Sequence, residues 1–333
     1  MNIYDIAKMT GVSIATVSRV VNGNDKVSEK TKQKVLAAIE DVGYVPNAFA
    51  KGLGSDTMHA IGILVPEVSD IFMAMAVSYL EEYLHKYGYG CILGCSGYSQ
   101  SEKEAHVQIL LSRRIDALIA VGSTYSGKTS QSSETEYLRR AAVQTPLFMI
   151  NGSVEGDQIY CSVNDDKKAV LDVTSACIQK GRRNILFLTD SESFSARNKL
   201  SGYKEALENA GISYRKEMIL KVKNDIHAVR DLLLASSLGF DCVIATNDAL
   251  AIGAIKYAAA RGIKIPQDMD IIGYNNSPLS TCCEPELTSV DNHVRQVCFD
   301  TVERVIKILN KETTVEKNIV LACDLIKRAT TDF

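Results

Sequence analysis

The sequence predicts a small all-α helix-turn-helix domain at the N-terminus, then an α/β core of two lobes, each built on a doubly wound parallel sheet. Two patterns carry this. Ser13 to Asn22 reads as a short capped helix with valines at 17, 20 and 21, following another short helix. From Ala60 onward, short apolar runs alternate with amphipathic helices in two successive series. Length agrees, because 333 residues suggest two or three units with ample core. Charged residues are 23% and hydrophobic residues 46%, an ordinary globular composition.

Ile3 to Met9 reads as the first helix, ended by Thr10-Gly11. Ser13 is a suitable N-cap for the second, because its hydroxyl can accept from an otherwise unpaired backbone N–H. Val17, Val20 and Val21 fall at i, i+3 and i+4 and form one apolar stripe. Ala15, Arg19 and Asn22 then face the other way, with Ser18 beside them and Ile14 at the helix start. Two short helices joined by a Gly-bearing turn make the helix-turn-helix pattern, whose second helix enters the major groove. Arg19 suits guanine, and Ile14 and Ala15 suit a thymine methyl. Tyr4, Ser13, Thr16, Ser18 and Asn22 are placed for backbone phosphates, which set register without reading sequence. Ser28 caps a third helix, Glu29 to Val42, with Val35, Leu36 and Ile39 expected to close the core. A three-helix bundle without function would not require Arg19 and Asn22 on the face away from the valines.

In the second region, Ile61 to Val65, Cys91 to Leu93, Ala117 to Val121 and Leu147 to Ile150 read as buried strands. Helices are expected at Phe72–Tyr87, Glu102–Arg113 and about Glu134–Val143. A second series follows, with helices from Lys167, Ala196–Ala210 and Ala249–Arg261 around strands Ile185–Leu188, Val243–Ala245 and Ile271–Gly273. Val294–Leu309 and Ile319–Leu321 finish it. Near-continuous apolar strands between helices imply parallel sheets covered on both faces. Ligands of such sheets bind beyond the carboxyl ends of the strands, which in a two-lobed core is the cleft.

The net charge is −3; residues 1–58 carry seven Lys or Arg against six Asp or Glu, and the remainder 30 against 34. DNA binding would therefore rest on placed contacts, Arg19 and the Lys26, Lys30, Lys32 and Lys34 group, and on dimerisation. For any single lysine a solvated helix face is an adequate explanation. The nine cysteines form no C-x-x-C pair, and Cys282-Cys283 could hardly bridge each other without strain. Free thiols in a reducing cytoplasm are expected, with no metal and no cofactor. The N-terminus has no apolar signal region, and no apolar run reaches membrane-spanning length.

Tyr4-Asp5-Ile6-Ala7, Gly11-Val12-Ser13, Thr16 to Asn22 and Gly43-Tyr44-Val45-Pro46-Asn47 together resemble the lac repressor/Gal repressor family of bacterial transcription regulators. Later segments extend the resemblance over nearly the whole chain: Phe194-Ser195-Ala196-Arg197, Thr246 to Ala254, Ile265-Pro266, Ile271 to Asn275, and Pro285, Leu287, Thr288. It implies a helix-turn-helix domain at 1–45, a hinge at 46–58 and a two-lobed periplasmic-binding-protein-like core at 59–333. It further implies a homodimer on a near-palindromic double-stranded DNA operator, regulated by a small effector, a sugar or sugar derivative. In the hinge, Asn47, Ala50 and Leu53 would meet the minor groove, with Leu53 wedging between base pairs. Gly52 and Gly54 each disfavour a helix there by about 1 kcal/mol, which suits a segment that folds only on DNA.

By the same resemblance Asp70, Phe72, Ser123, Arg197, Asn247 and Asn275 face the effector. Planar Arg, Asn and Asp groups pair with neighbouring hydroxyls, and a Phe face covers an apolar ring side. Asp70 and Asn247 also stand where helix caps are needed. Arg197 near a helix start is disfavoured by the dipole, which favours a ligand role. The chain departs from the family's pattern at Asn275, where Asp is common, at Arg182, where His is usual, and around Asn164-Asp165, where the register is open.

Two other readings compete. Gly122 to Thr129 fits G-x-x-x-x-G-K-T, the phosphate loop of an NTPase. That loop needs a helix starting at its lysine, yet Ser130 to Glu134 is polar, with no apolar face before Tyr137. A two-lobed solute-binding protein fits the core but not the N-terminal helices. No Ser/His/Asp arrangement points to enzyme chemistry.

Overall fold

The computed structural model describes residues 2–21, 26–43, 57–127, 132–312 and 314–333. Asn22 and the hinge residues Asn47, Ala50 and Leu53 lie outside the described residues. The chain divides into two units, Met1–Ala60 and Ile61–Phe333.

In the first unit, α1 (Ile3–Thr10), α2 (Ile14–Val21) and α3 (Glu29–Asp41) form a three-helix bundle. Asn2 accepts from the Tyr4 and Asp5 amides while the Asp5 carboxylate accepts from the Asn2 amide, a capping box. Gly11, at φ +63, ends α1 in the left-handed region that glycine tolerates. Ser13 and Ser28 cap the next two helices through the Thr16 and Thr31 amides. The core is Ile6, Ala7, Val17, Val20 and Val35, with Val21 and Ile39 packed at its edge. Leu36 corrects the expectation: it is 45% exposed. The buried stripe of α3 runs Val35, Ile39, Val42, at i, i+4 and i+7, and Leu36 sits about 100° round from it.

The second unit has two six-stranded sheets. Lobe 1 contains β1 (Ala60–Val65), α4 (Ile71–Lys86), β2 (Gly90–Cys95), α5 (Gln100–Ser112), β3 (Ala117–Val121), α6 (Glu136–Ala142), β4 (Leu147–Ile150) and β5 (Ile159–Asn164). Lobe 2 follows with α7 (Asp166–Gln179), β6 (Ile185–Thr189), α8 (Phe194–Asn209), β7 (Ile219–Lys221), α9 (Ile226–Ala235), β8 (Cys242–Ala245), α10 (Asp248–Arg261), β9 (Asp270–Tyr274) and β10 (Thr288–Asp291). The chain then returns through α11 (Val294–Leu309) and β11 (Asn318–Leu321), and ends with β12 (Asp324–Ile326).

The strand orders are β11-β5-β4-β3-β1-β2 and β12-β10-β9-β8-β6-β7. β12 runs antiparallel to β10, so the second sheet is not wholly parallel. Alternation within the strands fills both faces. Ala117, Ile119 and Val121 of β3 join the core under α4 and α11, while Leu118 and Ala120 join that under α5 and α6. Ile185 and Phe187 of β6 likewise face α7 and α8, and Leu186 and Leu188 face α9 and α10.

Helix α11 packs Val294, Val297, Cys298, Val302 and Val305 into the core of lobe 1. The chain therefore crosses between lobes three times, at 164–166, 291–294 and 321–324. The crossings are tied together: Asn164 Nδ2 donates to Asn292 O at 2.8 Å, Asp165 N to Leu321 O at 2.9 Å, and His293 Nε2 lies 2.9 Å from Asp324 Oδ2. β5, β7, α9, β10 and β12 are elements that the apolar patterning did not mark.

Candidate nucleic-acid interface and interlobe cleft

On α2, burial of Val17 and Val20 turns the opposite face outward. Ile14 is 41% exposed, and Ala15 and Arg19 are exposed. Among the described residues Arg19 makes no ion pair. Ser13 Oγ and Thr16 Oγ1 lie 2.9 Å apart at the helix start, and Ser18 is half-buried. Tyr4 is exposed on α1.

The strand orders reverse between β1 and β3 and between β6 and β8. Crevices open at such points, and here the loops after these four strands face each other across the lobes. Asp70 caps α4, accepting from Met73 N at 3.1 Å, and its other oxygen accepts from Asn224 Nδ2 of lobe 2 at 3.2 Å. Arg197, in the first turn of α8, donates to Glu192 O at 2.6 Å and reaches Gly127 O of lobe 1 at 2.9 Å. Asn247 caps α10 through Leu250 N and donates to Asp190 Oδ2 at 3.0 Å. Ser123 begins a 3₁₀ turn on the loop that carries Gly127.

The structure thus brings Asp70, Arg197 and Asn247 to the cleft loops, with Ser123 on one of them. Two further expected contacts, Phe72 and Asn275, have structural roles of their own. Phe72 is 7% exposed and belongs to the core stripe of α4 with Ala76, Leu80 and Leu84, at helical spacing. Asn275 accepts from Asn292 Nδ2 at 3.0 Å, beside the second crossing, with φ +94.

Burial, reinforced by the Asp190 carboxylate, holds the Asp70 carboxyl above its ordinary range. Glu67 is held lower by hydrogen bonds from Tyr98 and Ser69. Lys199 of α8 is buried, donates to Thr246 O at 3.1 Å, and lies 3.5 Å from the Tyr274 ring centroid. Burial pushes its pKa down. Lys103 fixes the other wall, donating to Thr124 O and Oγ1 at 2.8 and 2.9 Å. Asp190, Asn224, Lys103 and Lys199 were not singled out from the sequence. Only Asp190 carried a signal there, as a carboxylate directly after an apolar strand.

Of the G-x-x-x-x-G-K-T segment, Lys128 and Thr129 lie outside the described residues, and the first α-helix described after it begins at Glu136. Among the described residues no group of three or more His, Cys, Asp or Glu is placed to hold a metal, and no helix is long and apolar enough to cross a membrane. All nine cysteines are free.

A helix-turn-helix unit followed by a two-lobed α/β unit defines a class, regulators of transcription that read DNA at one end. The family model for bacterial regulatory proteins, lacI family, matches residues 2–47, and that for a periplasmic binding protein-like domain matches 174–331. The chain is 45% identical to an HTH-type transcriptional regulator of Lachnoclostridium phytofermentans over 100% of both chains. It is 34% identical to catabolite control protein A of Priestia megaterium over 96% of each. Among solved structures, the lac repressor dimer bound to operator and the anti-inducer ONPF superposes with TM-score 0.88 at 24% identity, covering 99% of each chain. The CelR–cellobiose complex superposes with TM-score 0.71 at 23% identity, also over 99% of each. This chain belongs to the LacI family of bacterial regulatory proteins. It is a DNA-binding transcriptional regulator, not an enzyme.

Proposed function

We propose that the protein is a cytoplasmic repressor that binds a near-palindromic operator as a homodimer and responds to a small carbohydrate in the interlobe cleft. The observation that carries this is the exposed face of α2, where Ile14, Ala15 and Arg19 stand outward from a buried valine stripe. Arg19 reads a guanine, and Tyr4, Ser13, Thr16, Ser18 and Asn22 meet phosphates. Asn47, Ala50 and Leu53 form the minor-groove hinge. Asp70, Ser123, Arg197 and Asn247 are the effector contacts, joined by Asp190. The lac repressor dimer bound to operator and the CelR–cellobiose complex support the two ligand classes. An effector acts by its differential affinity for two lobe angles.

The test is selection of bound duplexes from a random DNA pool, with and without pooled sugars. A two-half-site palindrome whose enrichment changes with one sugar is the expected result. Enrichment of a single asymmetric site would overturn the dimer reading, and no response to any sugar would overturn the carbohydrate assignment.

A further inference from the structure

A cavity of about 660 Å³ lies outside the cleft loops. None of Asp70, Asp190, Arg197 or Asn247 lines it. Its walls come from both lobes: Asn275 and Asp291 at the ends of β9 and β10, Tyr79 and Tyr83 on α4, and Arg295 and Phe299 on α11. Its size falls in the range of small-molecule sites.

The charges in it are unequally committed. Asp291 accepts from His293 N at 2.7 Å and from Asn276 Nδ2 at 3.0 Å, so both its oxygens serve internal donors. His293 in turn lies 2.9 Å from Asp324. The nearby Glu82 pairs with Lys86 at 2.7 Å. Arg295 has a phenol and a ring as its direct partners among the described residues, with the Glu82 charge farther off: its Nε donates to Tyr83 OH at 2.9 Å, and its guanidinium lies 5.7 Å from the Tyr79 ring centroid. Among the described residues no carboxylate is within ion-pair distance of it. Phe299, 40% exposed, meets Tyr83 edge to face at 5.3 Å. An oriented guanidinium with no carboxylate in direct contact, beside three aromatic side chains, is complementary to a ring that bears a negative group.

We propose that this groove is a second ligand site for a small aromatic anion, its ring against Phe299 and the tyrosines and its carboxylate or sulfonate on Arg295. The site is separate from the cleft and does not depend on the carbohydrate reading. Because its walls belong to both lobes, its occupant favours one lobe angle and is linked to whatever else that angle controls.

The probe is anilinonaphthalene sulfonate, titrated by fluorescence into the full chain, with benzoate as competitor and circular dichroism confirming the fold of each variant. Saturable binding, displaced by benzoate, is expected. It weakens at least about tenfold in Arg295→Ala, the scale of one charge-assisted hydrogen bond, weakens also in Phe299→Ala, and is unchanged in Asp190→Asn. Absence of saturable binding overturns the proposal. So does equal affinity in Arg295→Ala, or loss in Asp190→Asn alone, which would place the probe in the cleft.

Discussion

Arg197 of lobe 2 donates to the main-chain oxygen of Gly127 of lobe 1 at 2.9 Å. The residue expected from its position to hold a ligand therefore also joins the two walls of the cleft. A bond from a charged donor contributes about 1.5–3 kcal/mol, enough to shift an open–closed balance about tenfold or more. Arg197→Ala is expected to leave DNA binding intact, abolish the effector response and enlarge the radius of gyration in small-angle scattering. A retained response would sink its assignment to the effector.

Arg19 is exposed and free of ion pairs among the described residues. Arg19→Ala should relax discrimination at one base position, at a cost of about 1–3 kcal/mol. Binding measured on operator variants checks this. Uniform weakening on all sequences would reassign Arg19 to a phosphate.

Asp70 carries a pH signature. Burial and the neighbouring Asp190 raise its pKa in the folded chain. A carboxyl with a raised folded pKa costs stability above that pKa, and the cost fades as pH falls through it. Asp70→Asn keeps a good helix cap and removes the charge. It should raise the melting temperature near neutral pH, and raise it progressively less towards about pH 4, where unperturbed carboxyls titrate. An equal gain at both ends would remove Asp70 as the source.

Two packing features of lobe 2 are open to denaturation experiments. A Cβ on Gly202 would run into the carbonyl oxygen of Lys167 and lie 2.9 Å from Leu171 N. Helices α7 and α8 are close there only because the side chain is absent. Gly202→Ala should cost about 1–3 kcal/mol, the scale of overpacking; a neutral result would mean that the two helices move apart freely.

Asp270 is fully buried and takes Lys180 Nζ and Arg182 Nε, each at 2.7 Å. Arg182 also donates to Pro266 O at 2.6 Å and Asp268 O at 3.0 Å. The arginine that stands where the family usually has histidine is thus a tie between β9 and the loop before it. Asp270→Ala leaves Arg182 without its carboxylate and Lys180 with Asp332 alone, and should cost about 3–5 kcal/mol, the range for breaking a buried pair.

What could be read from the sequence follows from how local each signal is. The valines of α2, the caps Ser13 and Ser28 and the fully apolar β3 and β4 are set by neighbours within a few residues, and were legible. Leu36 misled because one residue of helical phase separates a buried from an exposed side chain. β5 was obscured by Ser162 and Asn164, the latter a hydrogen-bonding partner across the lobes. β12 is only three residues at a sheet edge. The cleft was half legible. Asp70, Arg197 and Asn247 sit at strand ends, but Asn224 and Lys199 reach the cleft region only through the fold, and Phe72 and Asn275 serve the core and the crossings.

The three crossings bear on how the protein is made. Lobe 1 draws on residues before β5 and again on α11 and β11, and lobe 2 waits for β12 and for Thr330, whose hydroxyl donates to Ile271 O at 2.6 Å. Only the helix-turn-helix unit is continuous in the chain. As the polypeptide leaves the ribosome, that head is complete early, and both lobes close together on the last few dozen residues. A ribosome that stalls within α11 therefore releases a finished head attached to two unfinished sheets.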